Sequence, residues 1–424
     1  MNPLAPFLRE LRDPRRPYLI DHPLLTILSI VVLSMFCGAG GWEEMEDWAT
    51  CKKAWLATFL DLSHGVPSAD TLRRTVAALL PGPFRKAFVA WAQALVESTE
   101  GKLIAIDGKT ARGSTNDAGD ILHVVRAWVR ENALVLGQVA TGAKSNEITA
   151  IPELLKLLSL RGATVTLDAM GTPREIALAI LDKDAHHVMA LKDNQPTLCT
   201  GAQVELGTKT EPRRATSSFH KTEDKGHGRT EVRRVWVTSK LDHLTALLTW
   251  PGIQTLIRIE SERCVDGKTS FEDRYYLASG VLTAKEAGSM VRGHWSIENT
   301  CHWTLDVVFG EDDARVREGH APENLGLVRS LILNVFKRDT TKKTSLKRKY
   351  KLCGWDHDFM LEMVRGLFSL GVCARPAPRP VPLWRPLRQA GPVVLTPPAG
   401  RCESVARQTR SLSAPGGLSR RPRR

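Results

Sequence analysis

The chain has 424 residues, of which 42% are hydrophobic and 25% are charged, and its formal net charge is +13. This length and composition exclude a wholly disordered chain and allow two or three domains with a sizeable core. The positive charge is concentrated near the C-terminus: residues 374–424 hold eleven Arg and one Glu, and residues 337–351 hold eight Lys or Arg and one Asp. Because Lys and Arg neutralise phosphates, this excess predicts a polyanionic partner rather than a uniformly basic fold.

The cysteines and the apolar runs limit the cellular setting. The eight Cys are scattered without a CxxC pair, which argues against a disulfide scaffold or a structural zinc site and is typical of a reducing cytosol. We therefore expect a cytoplasmic protein. The fourteen-residue apolar run Leu24–Cys37 is short for a membrane span, so it favours a core helix over a signal peptide or a span, and no membrane partner is expected.

Residues 1–100 predict an all-helical N-terminal domain. Pro23 begins one helix, which ends at the glycine-rich segment 37–41. Ser68 caps the next helix, and Phe84–Glu97 forms a third.

From Lys102 onward the pattern changes to short apolar, β-branched runs. The predicted strands are Leu103–Ile106, His123–Val129, Leu134–Thr141, Thr164–Leu167 and His187–Leu191. Helices Ile148–Leu160 and Pro173–Leu181 separate the later strands. Three successive strands followed by alternating helices and strands predict an α/β fold with a mixed sheet of the ribonuclease H type over residues 101–373.

Within that domain, residues 196–280 predict a β-rich insertion. Ile253–Val265 and Lys268–Ala278 flank Asp266-Gly267, which is a strong hairpin signal. Beyond Cys373, ten of the chain's 24 prolines fall in residues 374–424, which predicts a disordered basic tail.

The segment Arg292–Asp306 predicts a helix with a polar stripe. His294, Glu298, His302 and Asp306 recur at intervals of four and share one face, while Ile297, Cys301 and Leu305 form an apolar face. An ion bridging the whole stripe is excluded, because twelve residues of helix span about 18 Å. With no third His or Cys beside any pair, zinc is disfavoured.

Three carboxylates are the candidate chemical groups. Asp107 and Asp168 each follow an apolar run that predicts a strand, and Glu298 stands on the predicted helix. Clustered carboxylates suit Mg²⁺, and two such ions roughly 3.5–4 Å apart catalyse phosphodiester chemistry. Singly, however, Asp107-Gly108 is equally compatible with a turn, Asp168 with an ordinary strand-to-loop residue, and Glu298 with a solvated helix face.

A set of motifs in order along residues 8–370 resembles bacterial DDE-type insertion-sequence transposases, in the group that includes the H-repeat-associated proteins. The matching motifs are Asp13-Pro-Arg-Arg16, Gly65-Val-Pro-Ser-Ala-Asp-Thr71, Ile106-Asp-Gly-Lys109, Leu167-Asp-Ala-Met-Gly171, Ala190-Leu-Lys-Asp-Asn-Gln195, Gly226-His-Gly-Arg229, His294-Trp-Ser-Ile-Glu-Asn299, His302-Trp-Thr-Leu-Asp-Val307 and Phe309-Gly-Glu-Asp312.

The resemblance implies that Asp107, Asp168 and Glu298 form the metal-binding catalytic triad, loaded with Mg²⁺ or with Mn²⁺ in its place. It implies double-stranded DNA as partner, both element ends and target, and pairing of two ends makes a homodimer or larger assembly the expectation. The predicted DNA contacts are Lys109, Lys192, Asn194, Gln195, His227, Arg229, His294, Trp295 and Asn299. A polar loop at residues 192–195, a solvated basic hairpin at 227–229 and a core role for Trp295 are the competing interpretations.

Two departures from similar chains are visible. A Tyr-Arg-Glu-Lys signature would place Arg and Lys where this chain has His294 and Leu305, and Pro173 replaces a usual Gln. The predicted function is metal-dependent DNA cleavage and strand transfer. The alternatives are a decayed or domesticated DNA-binding protein and a metal-dependent nuclease that does not join strands.

Overall fold

The computed structural model describes residues 4–115, 119, 121–141, 147–168, 173–192, 195–208, 218–226, 228–241 and 250–368. The described strands form one nine-stranded sheet in the order β3-β2-β1-β4-β5-β9-β8-β7-β6. They are β1 (Leu103–Ala111), β2 (Leu122–Val129), β3 (Leu134–Thr141), β4 (Thr164–Leu167), β5 (His186–Leu191), β6 (Ser218–Gly226), β7 (Arg229–Thr238), β8 (Thr255–Val265) and β9 (Lys268–Ala278). The predicted tail, residues 374–424, lies outside the described residues.

Helices cover both faces of the sheet. In chain order they are α1 (Ala5–Arg9), α2 (Leu24–Phe36), α3 (Trp42–Cys51), α4 (Lys53–Leu56), α5 (Ala69–Ala78), α6 (Pro81–Val96), α7 (Glu147–Leu157), α8 (Arg174–Leu181), α9 (Pro196–Leu206), α10 (Ala284–His294), α11 (Trp303–Val307), α12 (Ala321–Arg338), α13 (Leu346–Trp355) and α14 (His357–Phe368). A π-helical segment, Ile297–His302, lies between α10 and α11.

The first five strands form the predicted mixed sheet. β1 pairs antiparallel with β2 and parallel with β4, while β4 and β5 are also parallel. The parallel pairs are joined through α7 and α8, which supply the long crossovers that parallel strands require. The prediction of a mixed α/β fold is therefore confirmed.

The predicted β-rich insertion continues this sheet. β9 pairs antiparallel with β5, from Val188 opposite Ala278 to Leu191 opposite Tyr275. The predicted hairpin is confirmed as β8 and β9, and its two turn residues, Asp266 and Gly267, have φ angles of 50° and 77°. Positive φ at both positions is what a tight two-residue hairpin turn demands, which explains the Asp-Gly pair.

The N-terminal helices share a core with the sheet. α2 is buried along almost its whole length, which confirms the prediction of a core helix. Ser68 caps α5 as expected, and its hydroxyl accepts a hydrogen bond from the Thr71 amide at 3.3 Å. Asn324 on α12 donates to the carbonyls of Val76 and Leu79. In the ranges that the structure describes, no helix combines the length and apolar character needed to cross a membrane.

Candidate active site

The register of β1 and β4 places two of the predicted carboxylates side by side. Ile106 on β1 is the partner of Leu167, the last residue of β4, and Asp107 and Asp168 are the residues that follow this pair. Adjacent strands lie roughly 4.8 Å apart, and partner residues of a parallel pair project from the same face. The two aspartates therefore lie close enough to interact electrostatically.

Asp107 lies within β1 and not at its end, so that part of the prediction is wrong. β1 continues to Ala111 because β2 still pairs with it, Asp107 being opposite Arg126. The pairing with β4 stops at Ile106. Beyond that residue β1 has no hydrogen-bonded neighbour on the β4 side within the described sheet.

The segment carrying Glu298 is not the continuous α-helix that the four-residue stripe predicts. α10 ends at His294, and residues 297–302 form a π-helical segment in which the Trp303 amide donates to the carbonyl of Glu298, five residues back. Such segments are uncommon and are often found at functional sites. The predicted apolar face is nevertheless confirmed, since Ile297, Cys301 and Leu305 are fully buried.

Three residues of the stripe join this helical region to the sheet. The Nδ1 atom of His294 is 2.9 Å from the hydroxyl oxygen of Thr166 on β4. The Nδ1 atom of His302 is 3.5 Å from a carboxylate oxygen of Asp107, and Asp306 forms an ion pair of 2.6 Å with Lys109 on β1. These contacts hold the helical region against the middle of β1 and the end of β4.

Glu298 is the stripe residue that remains exposed. Partial burial raises the pKa of its carboxyl, the Arg274 guanidinium opposes this rise, and the Asp168 charge adds to it. Arg274 lies 4.8 Å above the ring of Trp295, so a cation is stacked beside Glu298. Glu298, the third carboxylate of the predicted triad, thus interacts electrostatically with Asp168.

Negative charge converges on Asp107. Burial raises the pKa of its carboxyl to about 7, and the charges of Glu147, Glu298 and Asp168 contribute in that order. The donor set fits a hard divalent cation in its chemistry, because it consists of carboxylates whose mutual repulsion such an ion would neutralise. These carboxylates do not form a closed coordination shell. In the described ranges, no three His, Cys, Asp or Glu residues are placed to hold one ion together.

His302 is a residue of this site that sequence reasoning did not assign. Its side chain is 8% exposed, and burial lowers the pKa of the imidazole to about 2, with the charges of Arg126 and Lys109 adding to the effect. The ring is therefore neutral beside Asp107. In the sequence, His302 is marked only by its place in the stripe of polar residues spaced by four. Its contact with Asp107 is visible only in the fold.

Ion pairs connect β1 and β2 to the segment that follows α11. Arg126 on β2 is completely buried and binds Glu311 and the side-chain oxygen of Gln138. Lys109 adds a second ion pair, of 2.8 Å, to Asp312. These contacts give a physical role to the Phe309-Gly-Glu-Asp312 motif, whose acidic residues hold the segment after α11 against β1 and β2.

The predicted DNA contacts fall into different environments. Lys192 at the end of β5, Arg229 at the start of β7 and Asn299 are exposed. Gln195 is half-buried at the start of α9, Trp295 is half-buried under Arg274, and Lys109 and His294 are engaged in the contacts given above. Asn194 and His227 lie outside the described residues. The DNA-binding roles of these residues stay predictions.

Comparison with known proteins identifies the family. A model described as "Transposase DDE domain" matches residues 98–335, and one described as "DDE_Tnp_1-associated" matches residues 5–92. "Putative transposase YncI" of Escherichia coli O157:H7 is 36% identical over 375 residues, which is 87% of this chain and 96% of that protein. "Putative protein YbfL" and "H repeat-associated putative transposase YhhI" of Escherichia coli K12 are 34% and 33% identical over 361 residues each, 84% of this chain and 95% of theirs. The chain therefore belongs to the DDE transposase family.

Proposed function

We propose that this protein is an insertion-sequence transposase that cleaves DNA at the ends of its element and transfers the freed strands to target DNA. Its catalytic domain is ribonuclease H-like, and Asp107, Asp168 and Glu298 are its catalytic and metal-binding residues. The observation that carries the proposal is the β1–β4 register, which brings Asp107 and Asp168 close together, beside the helical region that presents Glu298.

Each residue of the proposed site has a separate role. Bound Mg²⁺, or Mn²⁺ in its place, supplies charge neutralisation and activation of the attacking and leaving oxygens. Asp107 is held in a paired strand and Asp168 directly after one, so their relative position is set by the sheet. His302, neutral and 3.5 Å from Asp107, orients that carboxylate without adding positive charge. The Lys109 ammonium forms ion pairs with Asp306 and Asp312, on the helical region and on the segment that follows it.

The exposed cations are the groups available to DNA backbone. Lys192 and Arg229 are exposed, and the clusters at 337–351 and 374–424 add the net positive charge that non-specific DNA affinity needs. Synapsis of two element ends requires at least two active sites, so we expect a dimer or larger assembly on DNA.

Purified full-length protein tests this proposal on duplexes that carry the inverted repeats flanking its gene. In Mg²⁺ we expect nicked element ends and products joined to target DNA. Asp107→Asn, Asp168→Asn and Glu298→Gln should each abolish both, with folding and DNA binding retained, since each removes a charged oxygen at nearly constant volume. Asp47→Asn, on the exposed surface of α3, is the matched control.

The products separate the alternatives. Nicked DNA without joined products would indicate a nuclease, and binding without cleavage would indicate a decayed DNA-binding protein. A triad variant that still cleaves at the wild-type rate would remove that residue from the catalytic set.

A further inference from the structure

A fourth carboxylate lies next to the proposed triad. Glu147, the first residue of α7, has a side chain only 12% exposed and adjoins β1 at Gly108, the residue after Asp107. The Cβ atom of any larger residue at position 108 would collide with the Glu147 carboxylate and would lie 2.6 Å from Nε2 of His123. Gly108 therefore leaves the space that the carboxylate occupies.

His123 on β2 fixes Glu147 in that position. Its Nε2 atom is 2.9 Å from the Glu147 carboxylate, and its Nδ1 atom is 2.9 Å from the Thr110 hydroxyl. An ionised carboxylate only accepts hydrogen bonds, so Nε2 carries the proton and donates it. A side chain on β2 and a hydroxyl on β1 thus set the direction of the Glu147 oxygens.

Glu147 lies next to β1 at Gly108 and is a neighbour of Asp107. Consecutive strand residues project from opposite faces, so Glu147 over Gly108 approaches β1 from the face opposite to Asp107. Because β4 pairs with β1 only as far as Ile106, no paired strand in the described sheet separates the two faces at this point. Consistent with this proximity, the Glu147 charge acts on Asp107 more strongly than those of Glu298 and Asp168.

A second observation indicates that the surroundings of Asp107 are incomplete. His302, which contacts Asp107, has a buried Nε2 atom that makes no hydrogen bond within the described part of the protein. Buried polar atoms without a partner are rare and indicate a missing ligand or ordered water. Three acidic groups therefore act on Asp107, and the imidazole that contacts it has a second nitrogen without a partner in the described residues.

We propose that Glu147 is a fourth carboxylate of the cation site and that His123 is the positioning residue that holds it there. The inference rests on the proposed function, because it takes Asp107 as a ligand of the same divalent cations. It predicts that Glu147 contributes to cation affinity directly or through one water molecule.

Binding of Mn²⁺ to the metal-free full-length protein tests the inference without any cleavage reaction. Free Mn²⁺ is measured by electron paramagnetic resonance, and Mn²⁺-induced stabilisation is measured by thermal unfolding. Glu147→Gln and Gly108→Ala should each weaken Mn²⁺ binding by about 10–100-fold, the range found when a residue supporting a metal site is removed. Their double variant should be no weaker than either single one, because both remove the same carboxylate from the site.

The positioning role of His123 has its own readout. His123→Ala should weaken Mn²⁺ binding, whereas His123→Gln, whose amide nitrogen can donate to Glu147 in place of Nε2, should restore most of it. Glu153→Gln, on the same helix but 62% exposed, is the matched control and should bind Mn²⁺ as the wild type does.

The outcomes distinguish this inference from the proposed function. If Asp107→Asn weakens Mn²⁺ binding and Glu147→Gln does not, the fourth carboxylate is refuted and the triad stands. If Asp107→Asn also leaves Mn²⁺ binding unchanged, the proposed cation site itself is refuted. If Glu147→Gln lowers the unfolding temperature of the metal-free protein but not the Mn²⁺-induced rise, Glu147 is only a structural partner of His123 and the inference fails.

Discussion

Neutralising Asp107 should stabilise the cation-free protein, although we expect the same change to abolish cleavage. The Asp107 side chain is 15% exposed, and burial together with three neighbouring carboxylates raises its pKa from 3.8 to about 7. At 1.36 kcal/mol per unit, this rise corresponds to about 4 kcal/mol of unfavourable free energy when Asp107 ionises in the folded state. Relaxation around the charge and coupling among the carboxylates reduce this figure, so we expect about 2–4 kcal/mol.

The sign of the effect follows from proton linkage. The folded pKa is the higher one, so between about pH 4 and pH 7 the native protein retains a proton that the unfolded chain has released. The contribution of Asp107 to the free energy of unfolding therefore falls as the pH rises through that window. In Asp107→Asn the amide resembles the protonated carboxyl, so variant and wild type should match near pH 4 and differ by about 2–4 kcal/mol at pH 8.

Urea unfolding in EDTA between pH 4.5 and pH 8 measures the difference in unfolding free energy between wild type and Asp107→Asn. Asp47→Asn, which neutralises an exposed aspartate, is the control. Excess Mg²⁺ should raise the stability of the wild type more than that of Asp107→Asn, because only the native, charged site binds the ion. A free-energy difference between wild type and Asp107→Asn that stays constant across this pH range would refute the reasoning that repulsion and burial act on Asp107.

Three further predictions concern the supports of the site and the tail. Arg126→Met should lower the free energy of unfolding by about 3–5 kcal/mol, because it leaves Glu311 buried without its partner, and replacing Glu311 by Gln in the same chain should recover part of that stability in urea unfolding. Lys109→Met should increase hydrogen exchange of the backbone amides of residues 303–312, since it frees Asp306 and Asp312, and unchanged exchange would show that these ion pairs do not hold the segment. Deleting residues 374–424 should preserve cleavage but flatten the salt dependence of DNA binding, by up to about 0.9 in the log–log slope for each phosphate that the tail neutralises, and identical slopes would show that the tail does not touch DNA.

Regular elements were predictable where local sequence determines them. The β-branched runs of β1 to β5 and the Asp266-Gly267 turn express preferences of a few adjacent residues, and the structure confirms them. The caps of α5 and α10 at Ser68 and Thr283 are local in the same way. Asp107 was misplaced at a strand end because Gly108 is a poor strand former, and pairing with β2 overrides that preference.

Contacts between distant residues could not be predicted from one sequence. Lys109 meets Asp306 and Asp312 about two hundred residues later, and Glu147 meets His123 only because α7 packs across β2 and β3. Neither spacing nor composition carries that information. The residues around Asp107 are therefore visible only in the fold, whereas the proposed triad rests on the resemblance to the family.

The π-helical segment explains how one helical region both contacts the sheet and keeps Glu298, a proposed catalytic residue, exposed. In a continuous α-helix His294, Glu298 and His302 would lie on one face, and all three would be directed to the sheet. Because the hydrogen bonds of residues 297–302 span five residues, the face rotates between them: His294 and His302 contact β4 and β1, while Glu298 remains exposed. The two imidazoles fix the helical region on either side of Glu298, so its carboxylate interacts with Asp168 and stays exposed. Sequence periodicity cannot reveal this arrangement. Residues spaced by four predict a single face of a continuous α-helix, and the π-helical segment places those residues on different faces.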